Sequence, residues 1–189
     1  MNAPSPTPWP APVRVLDFWF SDRVKPLWFR STEAFDQELR DRYQALWQAA
    51  ARGELDHWSD NPDGALALVI VLDQFPLNMF RDHARAYSTE AAARRIADIA
   101  IERGDDHALH PERRAFLYLP FMHSENPHDQ ERSMDLYEAA DMRDSLRWAR
   151  HHRDIVARFG RFPHRNEALG RESTRQERDW LASSDAFKG

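Results

Sequence analysis

Residues Ser31 to Ala50, with the sequence STEAFDQELRDRYQALWQAA, contain both signals of an amphipathic helix. A serine and a threonine precede an acidic residue, and such side chains satisfy the free amides at a helix N-terminus and suit its dipole. The apolar residues that follow recur at steps of three and four, which is the spacing of one helical face: Phe35, Leu39, Tyr43, Leu46, Trp47 and Ala50. The segment therefore predicts a helix with one buried face.

The same two signals recur along the rest of the chain, whereas alternating strand patterns are scarce. Polar caps, prolines at a first helical position and a capping-box spacing mark further helix starts: Asn61-Pro62, Ser88-Thr89-Glu90-Ala91, Asn126-Pro127 and Thr174 with Glu177. We therefore predict an all-α protein of about seven to nine helices. Short connections favour antiparallel helical hairpins.

Composition limits the classes of protein to which the chain can belong. Its 189 residues, 42% of them hydrophobic, suffice for one packed domain, which we place at residues 13–189 after a proline-rich tail at residues 1–12. The chain has no cysteine, which excludes disulfides, thiol nucleophiles and thiolate metal sites. The net charge of −5 argues against a nucleic-acid partner.

A membrane or secreted location is not expected from the sequence. The longest apolar run, residues 65–72, is too short to span a bilayer. The N-terminus lacks the basic start and apolar stretch of a secretory signal. We therefore expect a cytoplasmic protein with no membrane partner.

Four segments are distinctive enough to indicate a family: Asp17–Phe20 (DFWF), Leu72–Pro76 (LDQFP), Phe116–Glu125 (FLYLPFMHSE) and Arg158–Asn166 (RFGRFPHRN). Together they resemble an uncharacterised bacterial family known as "domain of unknown function 924", and the resemblance runs from about Val13 to Leu181. It implies an α/α superhelix similar to tetratricopeptide repeats (TPR-like), and it implies no established activity. Two positions depart from the family pattern, because Leu77 stands where an Arg is usual and Asp82 where a Gly is common.

Three residues on apolar helical faces are candidates for chemistry. Asp73 continues a stripe formed by Leu66, Val69 and Ile70 and should therefore point inward. Buried carboxylates need partners, so Asp73 is either a structural acid, bound to an arginine or to amides freed near Pro76, or a catalytic one. His123 and His152 are also on apolar faces, where a histidine is either a satisfied core residue or an acid–base group.

The loop between residues 158 and 166 predicts an anion site. Its arginines have the paired donors that clamp a carboxylate or phosphate. The predicted ligand-binding set is Arg81, His123, Glu125, His152, Arg158, Arg161, His164, Arg165 and Asn166. The alternative is a structural loop whose arginines bind helix carbonyls and the acidic segment 129–141.

No metal site and no cofactor is predicted. The nine histidines show no familiar metal-ligand spacing, and the chain has no glycine-rich phosphate loop, no nucleophile elbow and no dinucleotide fingerprint. A site built from Asp73, His123 and His152 is the one arrangement of residues that leaves metal binding open.

Three functional hypotheses follow from the sequence. The first is a helical binding module whose polar, Arg- and His-containing pocket takes a small anionic ligand or an acidic peptide from a protein partner. The second is an enzyme that uses Asp73, His123 and His152 as general acid and base on an anionic substrate. The third gives every one of these residues a purely structural role.

Overall fold

The computed structural model describes residues 9–183 and 186, and this part of the chain contains helices and turns but no strand. The all-α prediction is confirmed. Helices α1 to α9 span, in order, Pro12–Trp19, Glu33–Ala51, Pro62–Val69, Phe75–Met79, Glu90–Glu102, Pro111–Met122, Pro127–Ala139, Arg143–Phe159 and Arg175–Leu181. A π-helical turn, Ile70–Gln74, joins α3 directly to α4.

Local capping explains most of the helix starts. The side chain of Thr32 accepts a hydrogen bond from the amide of Phe35 at 3.2 Å, and Asn61 caps α3 in the same way. Thr174 and Glu177 form the predicted capping box at the start of α9. Each interaction satisfies an amide that has no partner inside its own helix.

Helix α3 and the π-turn form the centre of the molecule. Every residue from Gly64 to Pro76 is buried, which fits a segment that is apolar on all sides. Helix α3 contacts α1, α5 and α6, while α5, α6, α7 and α8 each pack against the next. These contacts show that successive helices are neighbours, whereas their antiparallel pairing and the TPR-like superhelix stay predictions.

A smaller apolar cluster closes the C-terminal end. Ile155 and Val156 of α8 pack with Phe162 and with Trp180 of α9. The segment between α8 and α9, which contains the predicted anion loop, is therefore fixed on both sides.

The predicted tail lies mostly outside the described residues, and α1 begins at Pro12. No helix in the described ranges combines the length and apolar character that crossing a membrane requires.

Candidate functional site

The π-helical turn fixes the position of Asp73. Pro76 has no N–H and cannot donate to the carbonyl of Leu72, four residues earlier. The hydroxyl of Thr89 donates to that carbonyl instead, at 2.5 Å, and accepts a hydrogen bond from the indole of Trp47 at 3.0 Å. This buried chain of hydrogen bonds ties the start of α5 to the residue next to Asp73.

Asp73 is completely buried, as its place on the apolar stripe predicts. One carboxylate oxygen accepts a hydrogen bond from Nε2 of Gln74 at 2.6 Å. The other accepts one from Nδ1 of His123 at 3.0 Å, across fifty residues of sequence. The partner of the Asp73 carboxylate is therefore a histidine, whereas the structural alternative expected an arginine or the backbone amides near Pro76.

His123 follows directly after α6, and 15% of its side chain is exposed. Burial by itself lowers the pKa of its imidazole, but the charge of Asp73, the hydrogen bond to Asp73 and the charge of Glu90 outweigh that effect. The pKa of His123 therefore lies above its usual value. Asp73 fixes Nδ1 as the donor, which leaves Nε2 for any other partner.

A second ion pair lies beside the first. The two Nη atoms of Arg165 each lie 3.1 Å from a carboxylate oxygen of Glu90. The guanidinium also lies between two aromatic rings, 4.5 Å from the centre of Tyr87 and 4.6 Å from that of Phe162. Only 7% of the Arg165 side chain is exposed. Burial raises the pKa of Glu90, with Arg165 and His123 acting in the opposite direction.

His152 lies next to this cluster as a neutral group. Its Nδ1–H donates to the carbonyl of Trp148 at 2.8 Å, and its ring centre is 6.5 Å from that of His123. Burial lowers the pKa of His152 to about 3, and it lowers the pKa of His164 to about 3 as well. Both imidazoles are therefore uncharged at neutral pH.

Glu125 belongs to a third ion pair, and its cation, Arg171, was not among the predicted binding residues. Arg171 donates to both carboxylate oxygens, at 2.7 and 3.0 Å, and the amide of Phe162 donates to one of them at 2.8 Å. Arg171 lies outside the distinctive segments and pairs across 46 residues. Nothing in the local sequence indicated that contact.

Three predicted binding arginines do not join the cluster. Arg161 binds Glu177 of α9, Arg81 binds Asp36 of α2, and Arg158 is exposed and lies over the ring of its neighbour Phe159. Each of the three has a nearer partner, so a shared pocket for them with the cluster stays a prediction. The loop arginines Arg161 and Arg165 bind Glu177 and Glu90 rather than the acidic segment 129–141, and Arg161 also donates to the backbone carbonyl of Glu172, so the structural alternative stays open with different acidic partners.

Some buried polar atoms of this cluster have no hydrogen-bond partner among the described residues. They include the Nε donors of Arg165 and Arg171 and two acceptors, Oδ1 of Asn166 and Oε1 of Glu90. Asn166 is 1% exposed and uses its Nδ2 to donate to Ser173 at 3.0 Å. Because nearly all buried polar atoms in proteins are hydrogen-bonded, such atoms call for a bound water or ligand.

Within residues 9–183 and 186, no group of three or more His, Asp or Glu residues is arranged to hold a metal ion. Asp73, His123 and His152 are neighbours, but His152 directs its Nδ1–H at a backbone carbonyl. The arrangement is instead a hydrogen-bonded Asp–His pair flanked by two arginine–glutamate pairs.

The sequence profile of the family described as "Bacterial protein of unknown function (DUF924)" matches residues 15–185. The chain belongs to the DUF924 family. Its fold is similar to that of a solved structure, the "Protein of Unknown Function ATU0120 from Agrobacterium tumefaciens", with a TM-score of 0.85 and 45% sequence identity. The similarity covers 90% of this chain and 96% of the other. No protein with a curated function matches the chain.

One family departure has a structural explanation. Asp82, at the position where the resemblance described above implies a glycine, has a φ of 60°. This is the left-handed region that favours glycine. The backbone turn after α4 therefore has a conformation that suits glycine, although an aspartate occupies it.

Proposed function

We propose that this DUF924 protein is a helical binding module for a small anionic ligand, held at the cluster formed by Asp73, Glu90, His123, Arg165 and Arg171. The observation that carries the proposal is the pair of buried Nε–H donors on Arg165 and Arg171 that no described residue accepts. The oxygen atoms of a carboxylate or phosphate are the acceptors that guanidinium donors take best.

The charges of the cluster support a ligand of low charge. Each arginine already binds a carboxylate through its Nη atoms, so a ligand would add to these pairs through the remaining Nε donors. The raised pKa of His123 favours a positive charge beside Asp73. The carboxylates of Asp73, Glu90 and Glu125 are then balanced by three positive charges, those of His123, Arg165 and Arg171. A ligand with one negative charge would therefore not be repelled by a net negative charge of the cluster.

The cluster is also rigid, which favours binding. The guanidinium of Arg165 is fixed by two aromatic rings and one carboxylate, so little side-chain freedom remains to be lost when a ligand arrives. The hydrogen bond from Thr89 to the carbonyl of Leu72 likewise restrains the backbone next to Asp73.

A thermal-shift panel of inorganic phosphate, carboxylates, nucleotides and divalent metals tests the proposal. A ligand at a hundred times its dissociation constant should raise the melting temperature by about 5–10 °C for a domain of this size. Arg171→Lys keeps the charge beside Glu125 but removes Nε, so it should abolish the rise. Arg161→Lys is the matched control, because the Nε of Arg161 donates to Glu177 on α9. A flat panel, or a rise retained in Arg171→Lys, contradicts the proposal.

The geometry of Asp73 and His123 favours one second function, an enzyme with His123 as general acid–base group. A carboxylate on Nδ1 that leaves Nε2 for proton exchange is the arrangement of such catalysts, and part of the His123 side chain is exposed. Once a ligand is known, His123→Gln separates the hypotheses. An enzyme would keep binding and lose turnover, whereas a structural role would change stability alone.

A further inference from the structure

An open groove lies between α1 and α2, on residues outside the Asp73–His123 cluster. Its volume is about 550 Å³, which is within the usual range for small-ligand sites. The lining includes the rings of Phe18 and Tyr43 and the charged side chains of Arg14, Arg23 and Arg42. Three arginines around two aromatic rings are notable in a chain whose net charge is −5.

Two of these arginines are held in place before any ligand binds. Glu38 accepts hydrogen bonds from Arg23 at 2.8 and 2.9 Å and from Arg42 at 2.8 Å. The guanidinium of Arg42 lies 4.4 Å from the centre of the Phe18 ring, and that of Arg23 lies 5.6 Å from it. Because both guanidinium groups are already held by Glu38, little side-chain entropy is lost when an anion binds them.

Arg14 supplies the unused charge. It is exposed on α1 and forms no ion pair with any residue in the described ranges. Among the lining residues and their ion-pair partners, the carboxylates are Asp17 and Glu38. The groove therefore keeps one net positive charge, which a monoanion would neutralise.

We propose that this groove binds a carboxylate monoanion that carries a small apolar group. The carboxylate lies among Arg14, Arg23 and Arg42. Arg14 offers a full set of paired donors, while Arg23 and Arg42, already bound to Glu38, contribute positive charge and their remaining N–H groups. The apolar group lies against the small accessible parts of Phe18 and Tyr43, which line the groove although only 8% and 5% of these residues is exposed. This site is independent of the function proposed above, because it shares no residue with the cluster around Asp73.

Benzoate is a suitable probe, with benzamide as its neutral isostere and acetate as the anion without a ring. In a titration of the full chain followed by backbone amide NMR shifts, benzoate should bind at least about tenfold more tightly than either analogue. The shifts should concentrate in residues 10–23 and 38–43. Binding should weaken as salt is added, because part of the attraction is between exposed charges.

Arg14→Glu should weaken benzoate binding at least about tenfold, and it breaks no ion pair among the residues that the structure describes. The matched control is Arg150→Glu, the same change at an exposed position of α8. Three results would each overturn the proposal: equal affinity for benzamide and benzoate, shifts centred outside the groove, or equal binding by the two variants.

Discussion

Nδ1 of His123 lies 3.0 Å from the carboxylate of Asp73, so the end of α6 is joined to the π-helical turn between α3 and α4. This contact places a titratable group in the centre of the molecule. Because the charge of Asp73 helps to raise the pKa of His123, the pair links protonation to folding.

The first prediction concerns that link. A histidine whose folded pKa is raised stabilises the protein fully below its unfolded value of about 6.5, and this contribution is lost as the pH rises through the folded pKa. Asp73→Asn removes the carboxylate charge and should lower the pKa of His123, because burial then dominates. It should also lower the free energy of unfolding at pH 6 by about 1–3 kcal/mol.

Two measurements check this prediction, an NMR titration of the imidazole and denaturant unfolding at several pH values. Asp135→Asn, a change at an exposed carboxylate of α7, serves as the control. An unchanged His123 titration in Asp73→Asn would show that the contact does not set its protonation.

The second prediction concerns acid stability. The folded-state pKa values of His152 and His164 are both lowered to about 3, chiefly by burial. The stability that these neutral imidazoles contribute is complete above the unfolded pKa of about 6.5 and is lost as the pH falls towards 3. By about pH 4.5 the loss should be on the order of 2 kcal/mol for each histidine.

The double variant His152→Asn/His164→Asn tests this, since asparagine can keep the donor to the carbonyl of Trp148. Its free energy of unfolding should fall less steeply between pH 6.5 and 4.5 than that of the wild type. His128→Asn, at an exposed position, should leave the slope unchanged. Equal slopes in the wild type and the double variant would refute the prediction.

The third prediction concerns Thr89, whose hydroxyl bonds both Leu72 and Trp47. Thr89→Val keeps the shape of the side chain but leaves a buried carbonyl and an indole N–H without this partner. We expect a loss of about 1–3 kcal/mol in the free energy of unfolding. Thr89→Ser keeps the hydroxyl and should recover most of the loss, whereas equal losses in both variants would point to the methyl group instead.

The two Ser-Thr-Glu-Ala segments show what the sequence can predict. In the first, Thr32 caps α2 through the amide of Phe35, three residues away. In the second, Thr89 makes no such cap, and its hydroxyl donates to Leu72 instead. Caps and apolar faces depend on neighbours within about one helical turn. The sequence therefore predicts the helices well, but it does not predict that the Thr89 side chain binds a residue of another element.

The same difference explains the outcome for the candidate site. The inward direction of Asp73 followed from its spacing along one helix. Its pairing with His123, and that of Glu125 with Arg171, span 50 and 46 residues. Many arginines and carboxylates in this chain could pair by composition alone. Only the packing of α5, α6 and the last loop selects which of them do.

The last prediction concerns Asp82, where the φ of 60° places an L side chain in the left-handed region. That conformation costs a non-glycine residue about 1–2 kcal/mol. Replacement by glycine removes this cost, but the greater freedom of glycine in the unfolded chain offsets part of the stabilisation. Asp82→Gly should therefore raise the free energy of unfolding by about 0.5–1 kcal/mol. In urea unfolding the midpoint should rise while the slope stays the same.

Asp135→Gly, inside helix α7, is the matched control and should destabilise the protein, because glycine weakens a helix interior. A lower midpoint for Asp82→Gly would mean that the aspartate side chain itself stabilises the turn.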